Sequence, residues 1–168
     1  MTTDRPSRPT GARRILLLAA LLLLSPLILA FVFVFSILWA LVSIVLSLLV
    51  WLLWCPRGRD ILFVYSDSPV WHDYIEERIL PRIEGRAVVL NWSDRRLWLE
   101  SYSLASLVFR HFGGYREYNP MALYFRPLRW HRRFPFWKTF RDLKHGKPES
   151  LNRAEDEFFR AIGSEIER

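Results

Sequence analysis

This chain of 168 residues contains one cysteine, Cys55. A single thiol cannot form an intrachain disulfide, and a thiolate-rich zinc site is excluded with it. Cysteine usage this sparse fits a reducing compartment. The short patterns that carry well-known chemistry are also missing: there is no Walker-type phosphate loop, no G-x-G-x-x-G, no G-x-S-x-G and no H-E-x-x-H. Those absences weaken the case for an enzyme without removing it. No internal repeat or low-complexity tract is visible beyond one apolar run, and that run shows the largest absence of all. Residues 15 to 55, about 41 positions, hold no charged side chain.

What is present divides into two physical units. Most of the charged side chains lie after residue 55, 20 of the 24 Lys and Arg and 16 of the 17 Asp and Glu, while the first part is greasy. The opening residues 1–14 are polar, with Pro6, Pro9, Gly11 and Arg5, Arg8, Arg13 and Arg14; they bury nothing and read as a disordered basic tail. Residues 56–168 are long enough for one small core and read as one soluble α/β domain.

A helix rises about 1.5 Å per residue, so the run from 15 to 55 would reach roughly 60 Å, about twice the hydrocarbon thickness of a bilayer. One upright crossing is too short a path. The expected solution is a transmembrane helical hairpin, with helices at about 15–35 and 38–55. Flanking charge supports it, because arginines 5, 8, 13 and 14 in front and Arg57 and Arg59 behind both mark cytoplasmic flanks, and that requires an even number of crossings. Trp51 and Trp54 beside the rear flank, and Trp39 near the middle, suit membrane interfaces. Against the hairpin, residues 31–43 contain no Gly, Pro, Asn or Asp to make a turn. One tilted span after a kink at Pro26 is the competing arrangement; the four front arginines would then stay inside and the domain would be exported. A cleaved signal peptide ending near Ile28-Leu29-Ala30 is a third, and it would still leave a full span behind.

The soluble unit alternates strand and helix signals. DILFVY at 60–65 and RAVVLNW at 86–92 read as buried strands, and MALYFRP at 121–127 as a third, ended by Pro127. Between the first two, Ser68-Pro69 is a helix start, followed by Trp71, Ile75, Ile79 and Ile83 on one face. Ser93 or Asp94 can cap a further helix that breaks near 101–103 and stops at Gly113-Gly114. Helices ending at Gly146 and running from Pro148 to Gly163 close the chain. The expected domain has about three mainly parallel strands and four helices.

In open α/β sheets, ligands bind beyond the carboxyl ends of the strands. Two loops fall there. Asp67, His72 and Asp94 are the candidate catalytic groups, and Ser66, Ser68, Asn91, Ser93 and Arg95 the candidate ligand-binding groups. Ser, Asp and Asn are also what helix caps require, so capping alone explains most of them. His72 and Asp73 do not form a dyad by adjacency, since neighbours on a helix point about 100° apart. No metal site and no particular cofactor is indicated.

Residues 126–147 carry eight of the Lys and Arg against one acid, Asp142, interleaved with Trp130, Phe134, Phe136, Trp137 and Phe140. Arg129, Trp130, Arg132, Arg133, Trp137 and Lys138 are the candidate contacts to a lipid surface, where arginines meet anionic head groups and aromatic rings sit in the interface. The competing reading puts the rings in the core and the charges in water; nucleic acid is the least favoured partner. Cys55 at the membrane boundary is a weak palmitoylation candidate. The resulting expectation is an integral membrane protein displaying a small α/β interaction domain at the cytoplasmic surface, with the bilayer, anionic head groups and an unidentified protein as partners. The alternative is a membrane-bound enzyme acting on a lipid-linked or nucleotide-activated substrate.

Overall fold

In the computed structural model, which describes residues 11–100, 102–114, 118–146 and 148–163, the apolar run is one helix, α1, Gly11–Leu53. The expected hairpin is corrected: no turn separates 15–35 from 38–55. The reason lies in the residues. Nothing between 31 and 43 favours leaving a helix, and an unbroken helix satisfies every backbone group from within. Pro26 interrupts that ladder, because it has no N–H to give the carbonyl of Leu22 four residues back. The hydroxyl of Ser25 donates to that same carbonyl at 2.9 Å and fills the gap. Of the expected disordered tail, 1–10 lie outside the described residues, and 11–14 open α1.

α1 is long and apolar enough to cross a membrane, and only 6 % of its most apolar stretch is buried. The chain divides into two compact units, 1–42 and 43–168, so the last turns of α1 belong with the second.

The second unit is built on four strands: β1 (Ile61–Tyr65), β2 (Ala87–Asn91), β3 (Met121–Tyr124) and β4 (Arg132–Pro135), in spatial order β2-β1-β3-β4. β1 and β2 are parallel, as the strand–helix–strand order demands. The other two pairings, β1 with β3 and β3 with β4, are antiparallel, so the expectation of a mainly parallel sheet is corrected to a mixed one. β3 joins the far side of β1 after two helices, and a short loop then folds β4 back beside it. β4 escaped the sequence reading because RRFP has no strand pattern. Only Phe134 points inward, and Pro135 is tolerated because the strand is at the edge.

Residues 72–83 form α2, in which Ile75, Ile79 and Ile83 are fully buried as the four-residue spacing requires. Its middle, Ile75–Ile79, widens into a π-turn just ahead of Pro81, which cannot supply the usual N–H to the carbonyl of Glu77. Next come α3 (Arg95–Glu100), α4 (Leu104–Phe112), α5 (Trp137–Lys144) and α6 (Pro148–Gly163). The gap between α3 and α4 falls at the expected break, and the Ser103 hydroxyl caps α4 by accepting from the Ser106 N–H at 3.2 Å.

Alternation along β1 sorts the core into two layers. Ile61, Phe63 and Tyr65 face α2, α5 and α6, where Phe136, Phe140 and Phe158 are fully buried. Leu62 and Val64 face α4, and on that side Leu46 and Val50 of α1 complete the packing. The end of the apolar helix is therefore a layer of the domain's own core. Ser43, also fully buried, shares a 2.6 Å hydrogen bond with Nε2 of His111 on α4, which makes His111 a contact between helices.

Candidate functional site

β1 and β2 run parallel with Tyr65 opposite Asn91, so the loops leaving them emerge side by side. This brings together residues distant in sequence. Asn91 Nδ2 donates to Asp67 Oδ1 at 2.6 Å, the Asp67 backbone N–H donates to Ser93 Oγ at 3.0 Å, and the Ser93 N–H donates to Asn91 Oδ1 at 2.9 Å. His72 Nδ1 lies 3.7 Å from Asp67 Oδ1 and is buried without a hydrogen-bond partner among the described residues.

Tyr65 and Glu76 join this group, and the sequence reading missed both. The Tyr65 hydroxyl donates to Glu76 Oε1 at 2.5 Å, and its ring stacks on His72 at 6.3 Å between centroids. Burial, and then the bond to Glu76, hold the Tyr65 phenol far above its ordinary pKa, so it stays a donor. Strand burial gave Tyr65 a core role in the sequence, and Glu76 stood on the polar side of its helix. Only the fold shows that they meet.

The other candidates do different things. The Ser66 carbonyl accepts from the Trp71 indole N–H at 3.1 Å, and the Ser68 hydroxyl accepts weakly from the Val70 N–H at 3.5 Å. Asn91 caps the short turn Trp92–Asp94. Asp94 is exposed, and the Arg95 guanidinium lies over the Trp92 ring at 5.5 Å. Ser68 caps no helix, because α2 begins at His72 behind Trp71, which makes no side-chain cap, so the expected helix start at Ser68-Pro69 is corrected. Asn91 caps its turn through Oδ1 and through Nδ2 joins Asp67, His72 and Ser93 in one tied polar cluster. Ser93 Oγ serves as an acceptor there, and the side chains of Asp67 and His72 are 51 % and 39 % exposed. An open arrangement of this kind can offer hydrogen bonds to a polar group, but it does not exclude water as an enclosed catalytic pocket would.

The basic aromatic segment splits. Phe134, Phe136 and Phe140 go into the core, as the competing reading held. Arg132 pairs with Glu157 at 3.2 Å. Trp137 is half-buried, stacked on Tyr118 at 4.2 Å with Arg141 at 5.3 Å from its ring. Arg133, Trp137 and Lys138 line a shallow groove with Gly113, Gly114 and Tyr118. Trp130 stays 71 % exposed, next to Leu128 at 89 %, the most exposed large apolar side chain of the domain.

These last two sit on the β3–β4 loop, and with Arg129 they form one wall of a second groove. Its other wall is the end of α1, through Ile44, Ser47, Leu48 and Trp51. Leu128 holds a left-handed backbone, φ 60°, rare for a leucine, which turns its side chain outward. No spacing in the sequence points to this groove, because its walls are some eighty residues apart. Cys55, just past α1, has its thiol pushed up by burial and then by Asp60, so it is held in the unreactive protonated form.

No family model matches the chain, and neither a curated protein nor a solved structure matches it.

Proposed function

We propose that this chain is an integral membrane protein whose α/β domain is held against the cytoplasmic membrane surface, where it contacts anionic lipid head groups and presents a binding face to a protein partner. The observation that carries the reading is the exposure of α1. Only 6 % of the best apolar stretch of this helix is buried, and soluble proteins rarely leave such an expanse in water. The length problem that suggested a hairpin also has a second solution. Residues 43–53 are used by the domain, which leaves roughly 28 uncharged residues before them for one tilted crossing.

One crossing puts the two ends on opposite sides. The four arginines of the front flank favour keeping that end inside. At the other end stand Arg57 and Arg59, and Arg129 of the β3–β4 loop lies beside the last turns of α1 in the folded domain. The unpaired thiol and the preference of a basic loop for the anionic cytoplasmic leaflet add to the domain side.

Two measurements test this together. Alkaline carbonate should fail to extract the full chain from membranes, and protease added outside sealed right-side-out vesicles should leave the C-terminus intact. Extraction by carbonate would overturn the membrane reading; digestion of the C-terminus would place the domain on the outer face.

The second reading is a membrane-bound enzyme on a lipid-linked or nucleotide-activated substrate. The convergence of Asp67, His72 and Ser93 at the ends of two parallel strands favours it.

A further inference from the structure

Along the last turns of α1, one side is buried in the domain through Ser43, Leu46 and Val50. The neighbouring side, Ile44, Leu48 and Trp51, faces the β3–β4 loop across a groove of about 170 Å³. That volume falls below the roughly 300 Å³ at which sites for whole small molecules begin, so the groove suits a chain lying along it and continuing beyond. Its lining is mostly apolar. At its mouth stands Arg129, with no ion-pair partner among the described residues, in a loop whose residues 126–133 hold four arginines and no acid. Trp51 leaves its indole N–H without an acceptor among the described residues.

We propose that this groove holds one anionic phospholipid of the host bilayer, with an acyl chain against Ile44, Leu48 and Leu128 and the phosphate on the Arg129 guanidinium. The inference rests on the reading of α1 as membrane-embedded. Three observations favour a lipid over other occupants. Ile44 and Leu48 of α1 line the groove opposite Leu128 and Trp130, so the groove continues the exposed apolar surface of the helix that enters the bilayer. Guanidinium pairs readily with phosphate, in a fork of parallel hydrogen bonds. The orphan indole donor of Trp51 lines the same groove as Arg129 and can give a hydrogen bond to an oxygen of the same head group. The left-handed backbone at Leu128 is a strained conformation, kept at a side chain left 89 % exposed.

The test uses the full chain, delipidated in a mild detergent and titrated with dioleoyl phosphatidylglycerol or dioleoyl phosphatidylcholine, with bound lipid counted by native mass spectrometry. One phosphatidylglycerol should bind at least tenfold more tightly than phosphatidylcholine. Arg129→Gln should remove that preference, and Leu128→Asp should weaken both lipids. Arg132→Gln, on an arginine engaged by Glu157, should change neither. Leu128 and Arg129 are exposed, so neither variant threatens the fold; a far-ultraviolet spectrum unchanged from wild type checks it. Equal binding of the two lipids, or an Arg129→Gln protein that keeps the preference, overturns the site. If carbonate leaves the chain in membranes while the lipid preference is absent, this inference fails alone; if carbonate extracts the chain, the reading beneath it fails too.

Discussion

The packing of Leu46 and Val50 makes a quantitative prediction about a helix that would otherwise be treated as a mere anchor. Leu46 is 7 % exposed and Val50 not at all, both against Leu62, Val64, Phe109 and Phe112. Truncating a buried leucine to alanine costs about 2–5 kcal/mol, transfer and cavity together. Removing two methyl groups from Val50 costs about 1.5–2 kcal/mol, from roughly 0.8 kcal/mol per buried carbon and a small cavity. For a domain of this size, about 4 °C of melting midpoint is lost per kcal/mol. Leu46→Ala should therefore lower the midpoint by about 12 °C and Val50→Ala by about 7 °C. Val45 and Leu52, 54 % and 69 % exposed on the same turns, serve as controls; their alanine variants should stay within about 2 °C of wild type. The assay is thermal unfolding of the full chain in detergent, followed by near-ultraviolet circular dichroism, which reports the packing of the domain's aromatic rings. If all four variants melt together, the end of α1 is not part of the core and the two-layer description is wrong.

Glu155, only 6 % exposed, accepts from the Tyr74 hydroxyl and from Arg82 Nη1 at 2.7 Å, with Arg78 at 3.7 Å. Both arginines are half exposed and can turn to water, so Glu155→Ala should cost about 2 kcal/mol, chiefly from the stranded phenol. It should also bring the alkaline titration of Tyr74 down from about 12, where burial and then Glu155 now hold it; an unchanged phenol titration would refute the contact. Acidification should destabilise the domain. Burial lowers the pKa of His111, and burial, then Arg133 and His111, lower that of His131, which sits 4.2 Å from the Phe112 ring. The unfolded chain then takes up protons first, so stability present above about pH 6.5 is lost as pH falls through that value. The melting midpoint at pH 5.5 should lie several degrees below that at pH 7.5, and His131→Phe should shrink the gap. Equal midpoints at the two pH values would show that neither imidazole matters to the fold.

Local chemistry in the sequence carried much of the domain. The isoleucines at 75, 79 and 83 announced a helix face, the β-branched runs announced β1 and β2, and Gly146 and Gly163 marked helix ends. Their order implied that the loops carrying Asp67 and Asn91 would be neighbours, and they are. What stayed hidden was decided by distant partners. The direction of β3 depends on which side of β1 it joins, and nothing in MALY encodes that. β4 looks like a charged turn until its single inward ring, Phe134, finds Phe158. The hairpin expectation rested on bilayer thickness and flanking charge, and neither registers that the last turns of α1 give one side to the sheet. Two apolar residues two positions apart can have different surroundings: Leu46 is buried against the sheet, while Leu48 is 44 % exposed.

That division has a consequence for the life of the chain. Translation makes residues 43–53 before any strand of the sheet, so Leu62, Val64 and α4 are laid onto a surface already in place. Cleavage in the short stretch between Leu53 and Ile61 would not liberate a tidy soluble fragment. It would leave the Leu62 and Val64 face of the sheet covered by α4 but missing Leu46 and Val50, a gap that either holds the fragment to the stump it was cut from or clumps it with its neighbours.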